Sequence, residues 1–200
     1  MTLPIVTVPN RVLREKSTLV KTVDKKIVRL IVDMAETLMK KTDPAGVGLS
    51  AVQVGKLWRL FVTYLPDDDQ LNRYPTDADR LVSKVFINPE IVESAGPKTL
   101  GPNPDKPWLE GCLSIPGIYG PVWRAESITL KYQSLDLNAN KQRPIPYSLF
   151  PITSSFSHFP ARVIQHEIDH LNGVLFTDHS VRDKLPIYEE KNGKLVEVAF

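Results

Sequence analysis

A helical repeat of apolar residues is the first clear pattern along the chain. Between positions 27 and 38 apolar side chains recur three and four residues apart, and most charged residues fall on the other positions. Asp24, just before this run, is of a residue type that caps helix N-termini. Pro44 and the glycines after it disfavour regular helix. The pattern predicts an amphipathic helix that begins after Asp24 and ends near Asp43.

Three short runs rich in β-branched and aromatic residues follow, at 58–64, 84–92 and 127–132. Such runs are typical of β-strands. Near the C-terminus, Asn192-Gly193 is a turn dipeptide that favours a hairpin with the strand-like residues after it. A helix followed by strands predicts an α+β fold.

A second helix is predicted over 159–173. Pro160 suits the first turn of a helix, and Gly173 can adopt the left-handed conformation that ends one. The apolar positions of this segment form one stripe, which indicates that one face of the helix is buried. The members of the stripe are Ala161, Ile164, Ile168 and Leu171.

Length and composition are those of one globular domain. The chain has 200 residues, of which 42% are hydrophobic, enough to bury a core without disulfides as staples. Segments 66–79 and 138–158 interrupt the strand-rich middle, but neither flank looks able to fold alone. We therefore expect insertions within a single domain that spans 1–200.

Charge excludes several functions. The 25 basic and 23 acidic residues leave a net charge of +2, without the basic runs that bind a phosphate backbone, so stable nucleic-acid binding is not expected.

No stretch approaches the roughly 18–20 apolar residues that cross a bilayer, and the N-terminus lacks the order of a signal peptide. The single cysteine, Cys112, agrees with a reducing compartment. We expect a cytoplasmic protein without membrane contact.

The candidate chemistry lies on the second helix, in the segment H-E-I-D-H. His166 and His170 are four residues apart, so their imidazoles rise from one helix face and can reach one metal ion. Glu167 could take a proton from metal-bound water and return it to a leaving group. Such short motifs also occur by chance on polar helix faces. A third ligand therefore decides between a metal site and a polar helix face that happens to carry two histidines.

Two regions could supply that third ligand. One class of zinc peptidases places a further histidine downstream, but this chain has Phe176 there, and His179 lies outside the spacing. Upstream, the segment WLEGCLSIPG places Cys112 in a glycine-flanked turn. A lone cysteine is more often a buried small hydrophobe than a ligand. Two glycine-rich loops combined with the H-E-x-x-H helix favour Cys112 as the ligand.

Three segments in this order, AGVGLSAVQVG, EGCLSIPG and QHEIDHLNGVLF, resemble the signature segments of the peptide deformylase family. These enzymes remove the formyl group from the N-terminal formyl-methionine of new chains. The likeness extends to IVTVPNRVLREKS and PVWRAESITLKY, and covers roughly two-thirds of the chain. It implies a compact α+β metallohydrolase with antiparallel strands around a central metal-binding helix.

The resemblance also implies the composition of the catalytic centre. The family typically uses Fe²⁺, which Zn²⁺, Ni²⁺ or Co²⁺ can replace, with one ion per chain. Glu167 would act as general base and then as general acid. The Gln53 side chain and the Leu113 backbone N–H would donate to the developing oxyanion. The implied metal ligands are Cys112, His166 and His170.

By the same resemblance, N-formyl-methionyl peptides would bind alongside a strand edge. Glu110 would also pair with Arg124 to hold the cysteine loop, and Asp169 would face away from the metal and support the helix. A transient contact with the ribosome exit region is a further expectation, although no basic C-terminal helix indicates an anchor. The residues expected to contact the substrate are Val47, Gly48, Glu110, Gly111 and Val163.

The chain departs from the family pattern at Ser50, where the first motif usually has alanine, and at Val52. Segments 66–79, 97–107 and 138–158 have little counterpart in the family, yet they flank the cleft in sequence. The preference for substrate side chains therefore stays open.

Two other functions are compatible with these ligands. One is a zinc peptidase or another amidase that uses the same triad, and the other is a metal-binding module without turnover. Glu167 and Gln53 argue against the module, because a structural metal site needs neither a base nor an oxyanion donor.

Overall fold

The computed structural model describes residues 1–42, 45–76, 79, 81–135 and 149–199. Its helices are α1 (Lys25–Met39), α2 (His158–Leu171) and α3 (Phe176–Arg182), with 3-10 turns at Arg11–Arg14 and Ala51–Val54. Its strands are β1 (Gly48–Ser50), β2 (Leu60–Pro66), β3 (Leu81–Thr99), β4 (Leu109–Cys112), β5 (Ile115–Pro121), β6 (Arg124–Leu135), β7 (Leu149–Ser157), β8 (Ile187–Lys191) and β9 (Lys194–Val198).

The strands form two antiparallel sheets, as the α+β prediction requires. Five strands follow the order β1-β2-β3-β6-β7, and four follow the order β4-β5-β8-β9. The C-terminal hairpin predicted at Asn192-Gly193 is the β8–β9 pair. β1 and β4 each lie at the edge of a sheet. Both edges can therefore accept a further strand.

The predicted strands are present but differ in length. Segment 84–92 lies within β3, which continues to Thr99 and pairs with β2 and then with β6. Pro89 and Pro97 fall at register shifts of β3, where a residue without an N–H can be accommodated. Segment 138–158 ends in β7, which lies at the edge of the five-stranded sheet, and its residues 138–148 lie outside the described residues.

Helix α1 begins where the sequence predicts, because the Asp24 carboxylate accepts two backbone N–H groups at 2.9 Å. The predicted end near Asp43 is wrong, since the helix ends at Met39. The chain turns at Lys41, whose carbonyl accepts the Gly46 N–H at 3.0 Å and starts the loop toward β1.

Helix α2 lies at the centre of the fold. Its apolar stripe is buried in one core with residues from both sheets, among them Phe61, Phe86 and Ile115. Helix α1 covers a separate core with β1, β2 and Ile87. Gly173 ends α2 with φ +74°, and a Cβ there would lie 2.4 Å from the carbonyl oxygen of Arg14. The prediction of a central helix with a glycine stop is confirmed.

Candidate metal centre and active-site cleft

The fold brings the three predicted ligands together. Cys112 is the last residue of β4, and His166 and His170 lie one turn apart on α2. Their ligand atoms all lie within 4.8 Å of one another, and Sγ of Cys112 is 3.2 Å from Nε2 of His170. The arrangement is a compact group of one sulfur and two imidazole nitrogens.

The cysteine sits in a tight turn that β4 and β5 hold between them. Cys112 pairs with Ile115 across this turn, and the Ser114 N–H points at its sulfur at 3.4 Å. Burial alone would raise the pKa of the thiol. The positive charge of His170 and hydrogen bonds from both histidines outweigh burial and hold the pKa well below its usual range. The site therefore favours the thiolate, the form that binds metals.

Glu110 is the hub of a buried charge network behind the ligands. Arg124 donates to both of its oxygens at 2.9 and 2.8 Å, and Arg162 donates at 3.0 Å. Nδ1 of His166 lies 3.0 Å from the same carboxylate, which leaves Nε2 of that ring for a metal. The predicted Glu110–Arg124 pair is confirmed. Both side chains of this pair are buried.

Asp169 extends this network away from the ligands, as predicted. It accepts from Arg124 at 2.5 Å and lies 2.8 Å from Nε2 of His179. His179 is thus part of the support behind α2. Phe176, at the position of the absent third histidine, stacks on the His166 ring with centroids 6.2 Å apart.

Glu167 is buried beside β1. Its side chain accepts a hydrogen bond from the Ser50 hydroxyl at 2.5 Å. Burial raises the pKa of its carboxyl, although the charges of His166 and His170 oppose the change. Gly48 makes room for it, because a Cβ at that position would lie 2.3 Å from Oε1 of Glu167. The close approach of Glu167 therefore explains why the first motif has a glycine at position 48.

The Gln53 side chain is fixed at both ends of its amide. Its oxygen accepts the Ser50 N–H at 2.8 Å. Its nitrogen lies 3.3 Å from the Ser114 hydroxyl and 3.5 Å from the Cys112 sulfur. An N–H donor is thereby held beside the ligands, with only 1% of the residue exposed.

These residues surround a cleft of about 490 Å³ between β1, β4 and α2. All the predicted site residues except the buried ligand His170 line it. They are Val47, Gly48, Gln53, Glu110, Gly111, Cys112, Leu113, Val163, His166 and Glu167.

Sequence reasoning missed three contributors: Arg162 as a partner of Glu110, the Ser50 hydroxyl as a partner of Glu167, and Tyr74 in the cleft wall. The signal for Arg162 was a cation next to the apolar stripe of a central helix. A buried cation needs a buried anion. For Tyr74 the segment 66–79 carried no pattern that pointed to a site.

The donor set fits a metal ion. A thiolate with two imidazoles is a known ligand set for divalent transition metals, and the Glu110 carboxylate behind His166 is the support that a ligating histidine usually has. Cys112, His166 and His170 also form a potential metal-binding group within the described ranges. The structure thus contains a metal site.

No helix in the described part of the chain has the length and apolar character needed to span a membrane.

Comparison with known proteins identifies the family of this chain. The family model for polypeptide deformylase matches residues 2–185. The peptide deformylase of Zymomonas mobilis is 38% identical over 185 residues, 91% of this chain and 88% of its own. Peptide deformylase 1 of Clostridium perfringens is 40% identical over 173 residues, 86% of this chain and 93% of its own.

Solved structures are similar as well. A class I type b peptide deformylase from Acinetobacter baumannii, bound to Met-Ala-Ser, superposes with a TM-score of 0.68 at 32% identity, over 90% of this chain and 98% of that one. The Thermotoga maritima enzyme gives 0.66 at 31% identity, over 90% and 97%. With the family model matched over most of its length, the chain belongs to the polypeptide deformylase family, hydrolases that remove the formyl group from the N-termini of nascent polypeptides.

Proposed function

We propose that Cys112, His166 and His170 hold one Fe²⁺ ion per chain, which Zn²⁺, Ni²⁺ or Co²⁺ can replace. The support is the cluster of their ligand atoms within 4.8 Å and the lowered pKa of the thiol. When bound, a divalent ion there would activate a water molecule and polarise the formyl carbonyl. Glu110 would keep the His166 ring in its ligating orientation.

Glu167 is the proposed general base and acid. It lines the cleft next to His166, and no arginine within the described ranges bonds to its carboxylate. Its carboxylate would take a proton from the attacking water and then deliver it to the amide nitrogen as the C–N bond breaks, which gives formate and the free amine. The Ser50 hydroxyl would hold the carboxylate in place during both transfers.

Gln53 and the backbone N–H of Leu113 are the proposed donors to the oxyanion. The Gln53 amide is already oriented by Ser50, so it need not reorganise as negative charge develops on the carbonyl oxygen. Leu113 follows Cys112 in the turn that lines the same cleft. Two fixed donors beside the ligands suit a tetrahedral transition state.

The peptide would bind between the two sheet edges. Val47 and Gly48 lie at β1, and Gly111 lies in β4, so backbone groups from both edges line the cleft. Val163 would contact the first side chain. Glu110 would contribute through its backbone, because its carboxylate is engaged by Arg124, Arg162 and His166. Met-Ala-Ser in the A. baumannii structure is a ligand of the same kind.

We further propose that residues 1–200 form a single catalytic domain that works in the cytoplasm on N-formyl-methionyl peptides, with transient contact near the ribosome exit. The net charge of +2 supports the absence of stable nucleic-acid binding.

The observation that carries this proposal is the convergence of Gln53, Cys112 and Glu167 on one cleft. Its test is formate release from formyl-Met-Ala-Ser by anaerobically purified enzyme, with metal content measured on the same sample.

The oxyanion donors lie close to the ligands, so an acetyl methyl group would have to displace packed atoms. We expect formyl-Met to be preferred over acetyl-Met by at least about 10³-fold in kcat/KM, or roughly 4 kcal/mol. Comparable values would favour a general amidase.

A further inference from the structure

The segment between β2 and β3 is docked against the start of α2. The Ser157 N–H donates to the carbonyl of Asp69 at 2.9 Å, and the Phe159 N–H donates to the carbonyl of Leu71 at 3.0 Å. The Leu71 side chain is buried. Backbone bonds to the first turn of the metal-binding helix thus fix the position of this segment relative to the cleft.

Tyr74 is the residue that this segment delivers to the cleft. Its ring lies 5.2 Å from the Trp108 ring and 5.4 Å from the Phe159 ring, centroid to centroid. Its hydroxyl donates to the carbonyl of Leu109 at 3.3 Å. Tyr74 and the adjacent Pro75 both line the cleft, together with His166 and Glu167 of the catalytic centre.

The neighbours of Tyr74 form one apolar patch. Trp108, Phe159 and Val163 belong to a single buried cluster, and Val47 packs against it. Val47 and Val163 are the residues proposed above to contact the peptide. The aromatic ring of Tyr74 therefore continues, toward solvent, the apolar wall at which the first substrate side chain would lie.

The exposure of these rings separates their roles. Trp108 is 8% exposed and Phe159 is 6% exposed, whereas Tyr74 is 48% exposed although it contacts both. A tyrosine that served only to pin the segment would be expected to bury most of its ring, as its two neighbours do. Tyr74 instead leaves nearly half of the residue's surface exposed at the cleft that it lines.

We propose that Tyr74 is a specificity-determining residue that forms the outer wall of the pocket for the first side chain of the substrate. This inference rests on the proposed function, since it assumes that the peptide lies in the Val47–Val163 cleft. A flexible thioether side chain such as that of methionine can extend along the wall and contact the aromatic ring. An alanine side chain is a single methyl group and would offer this wall far less surface to contact.

The experiment compares two substrates, formyl-Met-Ala-Ser and formyl-Ala-Ala-Ser, on four proteins. Tyr74→Ala removes the wall and Tyr74→Phe keeps the ring without the hydroxyl. Gln70→Ala is the matched control, because Gln70 is exposed on the same segment. We expect Tyr74→Ala to lower kcat/KM for the methionine substrate about tenfold, mainly through KM, and to change kcat/KM for the alanine substrate by less than about twofold. Gln70→Ala should match wild type with both substrates. Tyr74→Phe should keep the wild-type ratio of the two kcat/KM values, because it keeps the ring.

A second measurement needs no turnover. Calorimetric titration with the product Met-Ala-Ser should show a dissociation constant about tenfold larger for Tyr74→Ala than for wild type, with unchanged binding by Gln70→Ala.

Tyr74→Trp is a fifth protein for the kinetic comparison, because it retains aromatic packing on Trp108 and Phe159. Its larger ring would narrow the pocket. It too should therefore lower kcat/KM for the methionine substrate and leave kcat/KM for the alanine substrate unchanged.

The outcomes distinguish the two proposals. If wild type does not favour the methionine substrate over the alanine substrate, the proposed peptide position is wrong. If wild type favours methionine, but the ratio of the two kcat/KM values is the same in Tyr74→Ala and in Tyr74→Trp as in wild type, the assignment of Tyr74 is overturned. Equal losses for both substrates would likewise assign Tyr74 a purely structural role.

Discussion

The buried carboxylate of Glu110 makes a strong prediction about stability. In Glu110→Gln the shape of the side chain stays but its charge is lost, so Arg162 no longer has a buried anion at 3.0 Å. Removing one partner of a buried ion pair costs about 3–5 kcal/mol. Arg124 keeps its bond to Asp169, so we expect the lower end of the range. About 3 kcal/mol corresponds to a fall in Tm of about 6–12 °C for a chain of this size.

The assay is thermal unfolding followed by circular dichroism at pH 7, with wild type and variant both treated with a chelator so that metal affinity does not enter. Asp183→Asn is the matched control. Asp183 pairs with Arg182 at 2.8 Å, but that arginine side chain is 59% exposed. An exposed pair contributes about 0–1 kcal/mol. Shifts of similar size in the two variants would refute the role assigned to the buried network.

The same difference should depend on pH with a defined sign. Burial would raise the pKa of Glu110. The charge and hydrogen bonds of Arg124, together with the hydrogen bond from His166, instead hold this pKa well below its ordinary value of 4.5. A carboxyl with a lowered folded-state pKa contributes stability above its unfolded pKa and loses it as pH falls through the folded value. The part of the gap between wild type and Glu110→Gln that comes from the Glu110 charge should therefore be present above about pH 4.5 and narrow as pH falls below that value.

Three further predictions concern the catalytic centre. Cys112→Ala should lower metal affinity as much as His166→Ala does, because each removes one of three ligands; equal metal content in Cys112→Ala and wild type after dialysis would sink the ligand assignment. Glu167→Ala should retain the metal and lose at least about 10²-fold in kcat, the lower edge for a general acid–base group, and loss of the metal would instead identify Glu167 as a ligand. Gly48→Ala should also keep the metal but reduce kcat by about 10²-fold, because its Cβ would lie 2.3 Å from Oε1 of Glu167 and would displace the carboxylate. An unchanged kcat would show that this position of Glu167 is not needed.

The parts of the site that follow a local repeat could be predicted from the sequence. The i, i+4 spacing on α2 places His166 and His170 on one face, and the apolar stripe of the helix is buried opposite to it. The glycine-flanked turn favoured Cys112 as the third ligand, and the family resemblance strengthened that prediction, but nothing local shows that β4 ends beside α2. Such a contact depends on the order of strands in two sheets.

The contributions that were missed depend on tertiary contacts in the same way. Whether Arg162 points to solvent or to Glu110 is decided by the position of β4 across the helix, and helix periodicity carries no information on it. The Ser50 hydroxyl donates to the Glu167 carboxylate, which lies 117 residues away in sequence. Tyr74 lies in a segment without a repeat, fixed by backbone bonds to the start of α2.

The two buried glutamates show how surroundings divide the chemistry. Glu110 is bonded by two arginines, which fix it as an anion and hold its pKa below the usual range. Glu167 is bonded by the neutral Ser50 hydroxyl, and burial raises its pKa toward the range in which a carboxyl can both accept and donate a proton. A carboxylate that is held charged can orient a ligand but cannot shuttle protons. For this reason the proton transfers are assigned to Glu167 and the support of His166 to Glu110, although both side chains line one cleft.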